Sequence, residues 1–241
     1  MTKQALAAPP AFPRPLASVD VAIFTLADDA LQVLLVQRPR EAGEPFPGRW
    51  ALPGGFVDVD RDDDLHACAT RKLREKTGVS AGYLEQLGSW GSATRDPRGW
   101  SATHAYFALV PADTRLERGA NAVDAKWFAV GAHGVREKLA FDHGEILDAA
   151  IERLRAKVEY TSLPAYLVPR EFTLSDLQRA YEVVLGRPLE KSAFRTRVLA
   201  AALVEPVGRQ REGPNRPAQL YRLRTPSKPT YFPRPLNPRE K

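Results

Sequence analysis

The chain has 241 residues, 44% of them hydrophobic and 27% charged, and carries a formal net charge of +6. This balance fits a globular protein with one large or two small cores and excludes a disordered or collagenous chain. No apolar run approaches the ~20 residues that cross a bilayer, no secretory leader is visible, and a single cysteine excludes an internal disulfide framework, so the expected location is the cytoplasm. The four histidines follow no zinc spacing. The charge is unevenly placed. Residues 1–163 carry 20 Lys and Arg against 22 Asp and Glu, whereas residues 164–241 carry 15 against 7. A near-neutral body followed by a basic C-terminal part points to a polyanionic partner for the second part alone.

Residues 1–18 are rich in Ala and Pro without periodicity and read as a flexible arm. Val19–Phe24 alternates as a first strand, Asp28-Asp29 turns the chain, and Leu31–Gln37 is a continuous apolar strand. A loop from Arg38 to Gly48 leads through Arg49 and Trp50, the latter expected to pack, into the stretch LPGGFVDVDRDDDLHACATRKLREKTGV at 52–79. Pro53-Gly54-Gly55 reads as a turn, and the run Asp58, Asp60, Asp62, Asp63 and Asp64 as the entry to a helix, its carboxylates matched to the positive end of the helix dipole. Leu65, Cys68, Ala69 and Leu73 recur at helical spacing and predict a buried stripe with an inert thiol; Gly78 suits a left-handed cap.

Strands are expected at Tyr83–Trp90, Ser101–Val110 and Asp124–Phe128, with a turn at Arg95–Trp100 that carries two guanidinium groups. A partly amphipathic helix follows around His143–Val158. Strands surrounding helices in this order predict an α+β sandwich over residues 19–160. Thr161–Arg170, with two prolines, reads as a linker. After it, Thr173 caps a helix with Asp176 at the capping-box offset; Leu174, Leu177, Tyr181, Val184 and Leu185 form its apolar face, and Gly186 ends it. A second helix, Glu190–Ala202, turns Phe194, Val198 and Leu199 inward and Lys191, Ser192, Arg195 and Arg197 outward. A hairpin follows whose tip carries Arg209, Arg211 and Arg216. Two helices and a basic hairpin are the plan of a winged helix-turn-helix over 161–224: the second helix fits the major groove of double-stranded DNA and the wing reaches phosphate or the minor groove. Residues 225–241 read as a mobile tail.

The stretch at 52–79 resembles the Nudix box: Gly55, Arg71, Leu73, Glu75, Gly78 and Val79 match its pattern, with Asp63 at the first acidic position two residues late. Lys72 and Lys76 stand where two metal-site glutamates belong. Positions 72, 75 and 76 share one helix face, and two ammonium groups beside Glu75 repel the magnesium that carboxylates would hold. The resemblance therefore implies a pyrophosphate pocket retained without its hydrolytic chemistry: no catalytic residue, no metal and no required cofactor. RKLREKTGV, YLEQLGSWGSATRDPRGWS and LAFDH together are similar to the Nudix-related transcriptional regulators of NAD metabolism, the NrtR family. That resemblance implies a Nudix-fold α/β/α sandwich with a C-terminal winged helix-turn-helix, ADP-ribose or a related nucleotide as effector, and a homodimer on operators near NAD-synthesis genes. Candidate ligand-binding residues are Arg49, Gly54, Gly55, Arg71, Lys72, Glu75, Lys76, Arg95 and Arg98; for the last two, salt bridges that stiffen the loop are the alternative. The rival readings are an ADP-ribose pyrophosphatase with an accessory domain and a non-specific nucleic-acid binder.

Overall fold

The computed structural model describes residues 14–78, 81–114, 124–131, 134–212, 217–225, 228–233 and 236, with the side chains of Lys76 and Thr77 excepted. Its centre is the strand β1 (Leu16–Ala27), with every residue from Ser18 to Phe24 buried. Asp28 and Asp29 both adopt positive φ (51° and 57°), the backbone of a two-residue hairpin whose twist matches its strands, and lead into β2 (Ala30–Gln37). The two strands pair only from Phe24 and Val33 to the turn and then part. Residues 50–56 fill the wedge: β3 (Trp50–Ala51) pairs with β2, the Pro53 carbonyl accepts from Val21 N–H at 2.8 Å, and β4 (Gly54–Phe56) pairs with Ser18–Asp20.

Pro53-Gly54-Gly55 is thus an inserted strand rather than the turn expected from its glycines. Gly54 is required by close approach, since a Cβ there would lie 2.0 Å from Asp20 Oδ1 and 2.6 Å from the Val19 carbonyl. The acidic run also differs from expectation. It stays ahead of helix α1 (Leu65–Thr77) instead of entering its first turn, and only Asp64 serves the helix, as N-cap to Ala67 N–H at 2.7 Å. Aspartate competes for backbone groups locally and so favours the cap and the turn before it. Gly78 closes the helix at φ 70°.

The sheet continues through β5 (Tyr83–Ser92), β6 (Ser101–Leu109), which runs parallel to β1, and β7 (Ala125–Ala129) on the far side of β2. Alternation along β1 divides the core. Val19, Val21 and Ile23 meet Cys68, Ala69 and Leu73 of α1 on one face; Ala22 and Phe24 join Ile146, Leu147 and Ile151 of helix α2 (His143–Val158) on the other. This is an α/β/α sandwich.

The basic part comprises a 3-10 turn (Leu163–Tyr166), β8 (Phe172–Thr173), α3 (Leu174–Leu185), α4 (Lys191–Ala200), β9 (Val204–Arg211) and β10 (Ala218–Leu223), the strands forming a sheet in the order β8-β10-β9. The capping box at Thr173 and Asp176 is formed. Three expectations are corrected. Thr161–Val168 is not a free linker: it is buried, shares one apolar cluster with α2 and α3, and its Thr161 carbonyl accepts from the fully buried Tyr181 hydroxyl at 2.8 Å. Its prolines punctuate a segment whose Leu163, Leu167 and Val168 pack. Leu199 faces solvent, 50% exposed. The tail is anchored: Phe232 N–H and Leu236 N–H donate to the Tyr160 and Glu159 carbonyls at 2.8 and 2.7 Å, and the Phe232 ring is buried. At the other end Leu16–Ser18, assigned to the arm, belong to β1; residues 1–13 lie outside the described residues. Among the described residues no helix is long and apolar enough to cross a membrane.

Because the Phe232 ring is buried in the apolar cluster shared by α2 and α3, Phe232→Ala should destabilise the chain by about 3 kcal/mol, the cost of deleting a buried aromatic side chain. Urea unfolding checks this; an unchanged midpoint would restore the reading of a mobile tail.

Candidate functional site

The wedge between β1 and β2 leaves a cleft of about 280 Å³ floored by Gly54, Gly55 and Leu52 and walled by Arg38, Arg95, Arg98 and Phe141. Its base is a buried polar cluster. Asp20 sits on the central strand with Arg95 Nη2 at 3.7 Å and His143 Nε2 at 3.4 Å. Burial opposes ionisation of Asp20, but the neighbouring His143 and Arg95 outweigh it and hold its carboxyl below the usual range. His143 Nδ1 accepts from Leu52 N–H at 2.9 Å, so its proton lies on Nε2, facing Asp20. Arg95 is bidentate to Asp142 at 2.7 and 2.8 Å and 9% exposed; its donors are occupied inside the protein. These bonds fix the wall of the cleft that Arg95 lines.

Arg98 and Arg38 stand at the rim. Arg98 is bidentate to Asp96 at 2.7 and 3.0 Å and lies over the Phe56 ring at 4.9 Å. Arg38 pairs with Glu44 at 2.7 Å and lies over Phe141 at 4.9 Å. Burial lowers the Arg38 pKa, Glu44 opposes, and the Arg98 charge adds to the lowering. Two guanidinium groups that repel each other at one rim are favourable company for an anion, although each already holds a carboxylate that the anion must share or displace.

The expected ligand residues therefore divide. Gly54, Gly55, Arg95 and Arg98 line the cleft. Arg49 is exposed over Phe46, away from the cleft walls. Arg71, Lys72 and Glu75 lie on α1 outside the lining, but Lys72 reaches it: a Cβ on Gly55 would meet Lys72 Nζ at 2.9 Å. Glu75 is held by Arg71 at 3.1 Å, Arg61 at 3.7 Å and Lys72 at 3.9 Å, which leaves it poorly placed as a cation ligand. The Lys76 side chain lies outside the described residues. Asp20, Arg38, Phe141 and His143 were not expected here. An aspartate inside the apolar strand VDVAIF was the available signal, since a buried charge demands a partner.

The basic surface is formed by α4 and the wing. Lys191 and Ser192 are exposed at the N-terminus of α4, and Arg195 is half-buried. Arg197 is corrected: it turns from the outer face toward the Phe232 ring, 5.9 Å away. On the wing Arg209 pairs with Glu171 and Arg211 with Asp176 at 2.9 Å; Arg216 lies outside the described residues.

Residues 17–150 match the NUDIX domain and residues 164–223 the NrtR DNA-binding winged helix domain. Over 93% of its length the chain is 45% identical to the ADPR responsive transcriptional repressor NtrR of Acinetobacter baylyi, covering 88% of that protein. The chain belongs to the NrtR family. The crystal structure of Shewanella oneidensis NrtR complexed with a 27mer DNA superposes with a TM-score of 0.83 at 40% identity, over 92% of this chain and 99% of that one. The NUDIX domain of the same NrtR complexed with ADP ribose is 43% identical, with a TM-score of 0.55, over 61% of this chain and 94% of that domain.

In this NrtR chain Asp62, ahead of the box helix, pairs with Arg71 of that helix. Asp62 is bidentate to Arg71 at 2.6 and 2.7 Å, and its hydrogen bond from Arg71 holds its pKa well below the ordinary 3.8. A depressed folded-state value means that the pair stabilises fully above the unfolded value and is lost as pH falls through the folded one. Arg71→Ala should therefore lower stability at neutral pH and flatten the further loss on going to about pH 3. Urea midpoints at the two pH values check this; equal acid sensitivity in both proteins would mean that Asp62 is balanced by another group.

Proposed function

We propose that this NrtR protein is a transcriptional repressor that ADP-ribose or a related NAD-derived nucleotide releases from DNA near NAD-metabolism genes. The observation that carries the reading is the course of α2. Its first residue, His143, lines the effector cleft, and Asp142 at its N-cap position holds the cleft residue Arg95; its last, Val158, lies in the core that continues into α3. Between them Arg153 and Lys157 are tied to Glu85 of β5. One helix thus runs from the cleft to the core it shares with α3, so that a change at its N-terminus can be passed to the C-terminal part.

In this reading Arg38 and Arg98 receive the diphosphate, and Phe56 and Phe141 present apolar faces to the rest of the nucleotide. Lys72 supplies positive charge where a metal would otherwise stand, so no magnesium is needed and no hydrolysis follows. The protein acts as a homodimer, because two-fold symmetry matches pseudo-palindromic half-sites about one helical turn, ~34 Å, apart. Lys191, Ser192 and Arg195 enter the major groove, and Arg209 and Arg211 exchange their exposed carboxylate partners for phosphates at little cost.

ADP-ribose should bind with EDTA present, and Arg98→Ala should weaken it about ten-fold or more, the worth of one charged hydrogen bond. Calorimetry checks both; a strict magnesium requirement, or AMP release on incubation with magnesium, would favour the hydrolase instead. Linkage demands that operator weaken ADP-ribose binding by the factor by which ADP-ribose weakens operator binding, typically about 5–150. Paired titrations test it; unchanged affinities would leave two independent binding modules. Arg211→Ala should weaken all DNA sequences alike and reduce the salt slope by about one. A sequence-selective loss in gel shifts would instead place Arg211 at a base edge.

A further inference from the structure

The exposed face of α4, turned away from its buried side, carries little of the helix's positive charge. Phe194 and Val198 are buried and fix the inner side of the helix. At about 100° per residue, the face opposite them carries Ser192, Ala193, Thr196, Leu199 and Ala200, all exposed. Leu199 is 50% exposed although leucine at this position could have packed had the helix been turned. The charged side chains lie off this face. Arg195 flanks it half-buried, its Nε enclosed without a hydrogen-bond partner among the described residues, and Arg197 turns to Phe232. A hydroxyl, a hydroxyl with a methyl, and an isobutyl group therefore stand where the helix would meet base edges.

Resting on the repressor reading, we infer that Thr196 and Leu199 read thymine in the major groove through its C5 methyl group. That methyl is the one apolar feature that base edges present there, and threonine methyl and aliphatic groups are its usual partners. The surrounding chemistry fits duplex DNA as the occupant of this face. The domain is strongly basic, with Lys191 at one end of the face and Arg209 and Arg211 on the adjacent wing. A second copy of so basic a surface would meet it with like charge. Part of the sequence preference is thus apolar: a cytosine in place of the thymine loses the methyl and sets a polar donor against Leu199, which cannot accept it.

The test uses the full chain and a high-affinity duplex that it selects from a random-sequence pool. Each thymine of that duplex is replaced in turn by deoxyuridine, which deletes the methyl and leaves the pairing edge intact. At one or two positions in each half-site affinity should fall about four-fold, the worth of one buried methyl group. Leu199→Ala should weaken the all-thymine duplex by a similar factor and make one of those positions indifferent to deoxyuridine, while Leu199→Met restores the response. Thr196→Ser, which keeps the hydroxyl, should do the same at the neighbouring position. Leu199 is exposed, so folding is not at stake, and thermal unfolding of the variant verifies it. Selective binding that is indifferent to every thymine methyl would overturn this inference and leave the repressor reading intact. So would a Leu199→Ala variant that loses affinity equally for random DNA, or whose sedimentation shows that the leucine holds a protein partner. A chain that enriches no sequence at all would sink both readings, and the selection step alone separates that case.

Discussion

A carboxylate buried on the central strand constrains the arrangement of the whole sensor half. Asp20 lies between strands on both sides, and an ion in such a place must be surrounded by groups that compensate its lost hydration. Arg95 and His143 supply that compensation, and each brings an element with it. Arg95 draws in the 95–100 loop and, through Asp142, the N-terminus of α2. His143 takes the Leu52 N–H and thereby fixes the approach of the inserted strand. Gly54 is glycine because its backbone passes against the same carboxylate. The cleft is what remains in front of this cluster, so its shape follows from how a single charge is satisfied.

The cleft and the DNA-facing surface are not joined by a flexible tether. The segment after α2 is buried, the tail closes over it, and Arg179 of α3 reaches Asp29 in the first hairpin at 3.0 Å. With a core common to both halves, movement of one relative to the other requires that packed side chains shift together. Cores of this kind have discrete arrangements rather than a continuum, which suits a switch with two states. The proposed coupling therefore resides in the seating of α2 and not in the length of a connection.

Charge is used differently at the two sites. In the sensor, ions are buried and paired, and removing one partner leaves the other without compensation. On the wing, Arg209 and Arg211 sit in exposed pairs with Glu171 and Asp176, where screening makes the attraction small. The first arrangement holds a shape; the second leaves cations that polyanionic DNA can recruit.

Local chemistry decided what local physics controls. Helical spacing placed α2 and α3 near their observed limits and the C-terminal end of α1, Thr173 and Asp176 formed their reciprocal cap, and Gly78 and Gly186 took left-handed backbone. The lysine substitutions in the box and the basic C-terminal third were likewise readable as residue types at a spacing. What escaped depended on neighbours distant along the chain. Pro53-Gly54-Gly55 has the composition of a turn and becomes a strand because β1 and β2 part to admit it. Leu199 fits an apolar helix face by type, yet the angle at which α4 docks through Phe194 and Val198 leaves it in solvent. The pairing of Arg95 with Asp142, 47 residues away, has no local signal in the sequence. The tail's Phe232 and Leu236 look dispersed among prolines until the backbone of 159–162 offers them hydrogen bonds. Sequence alone determined the main helices and strands, the caps at Thr173, Gly78 and Gly186 and the sign of each half's charge, because these arise within a few residues. Tertiary structure alone decided which charges are satisfied internally and which remain for a ligand, because that depends on partners brought together by folding.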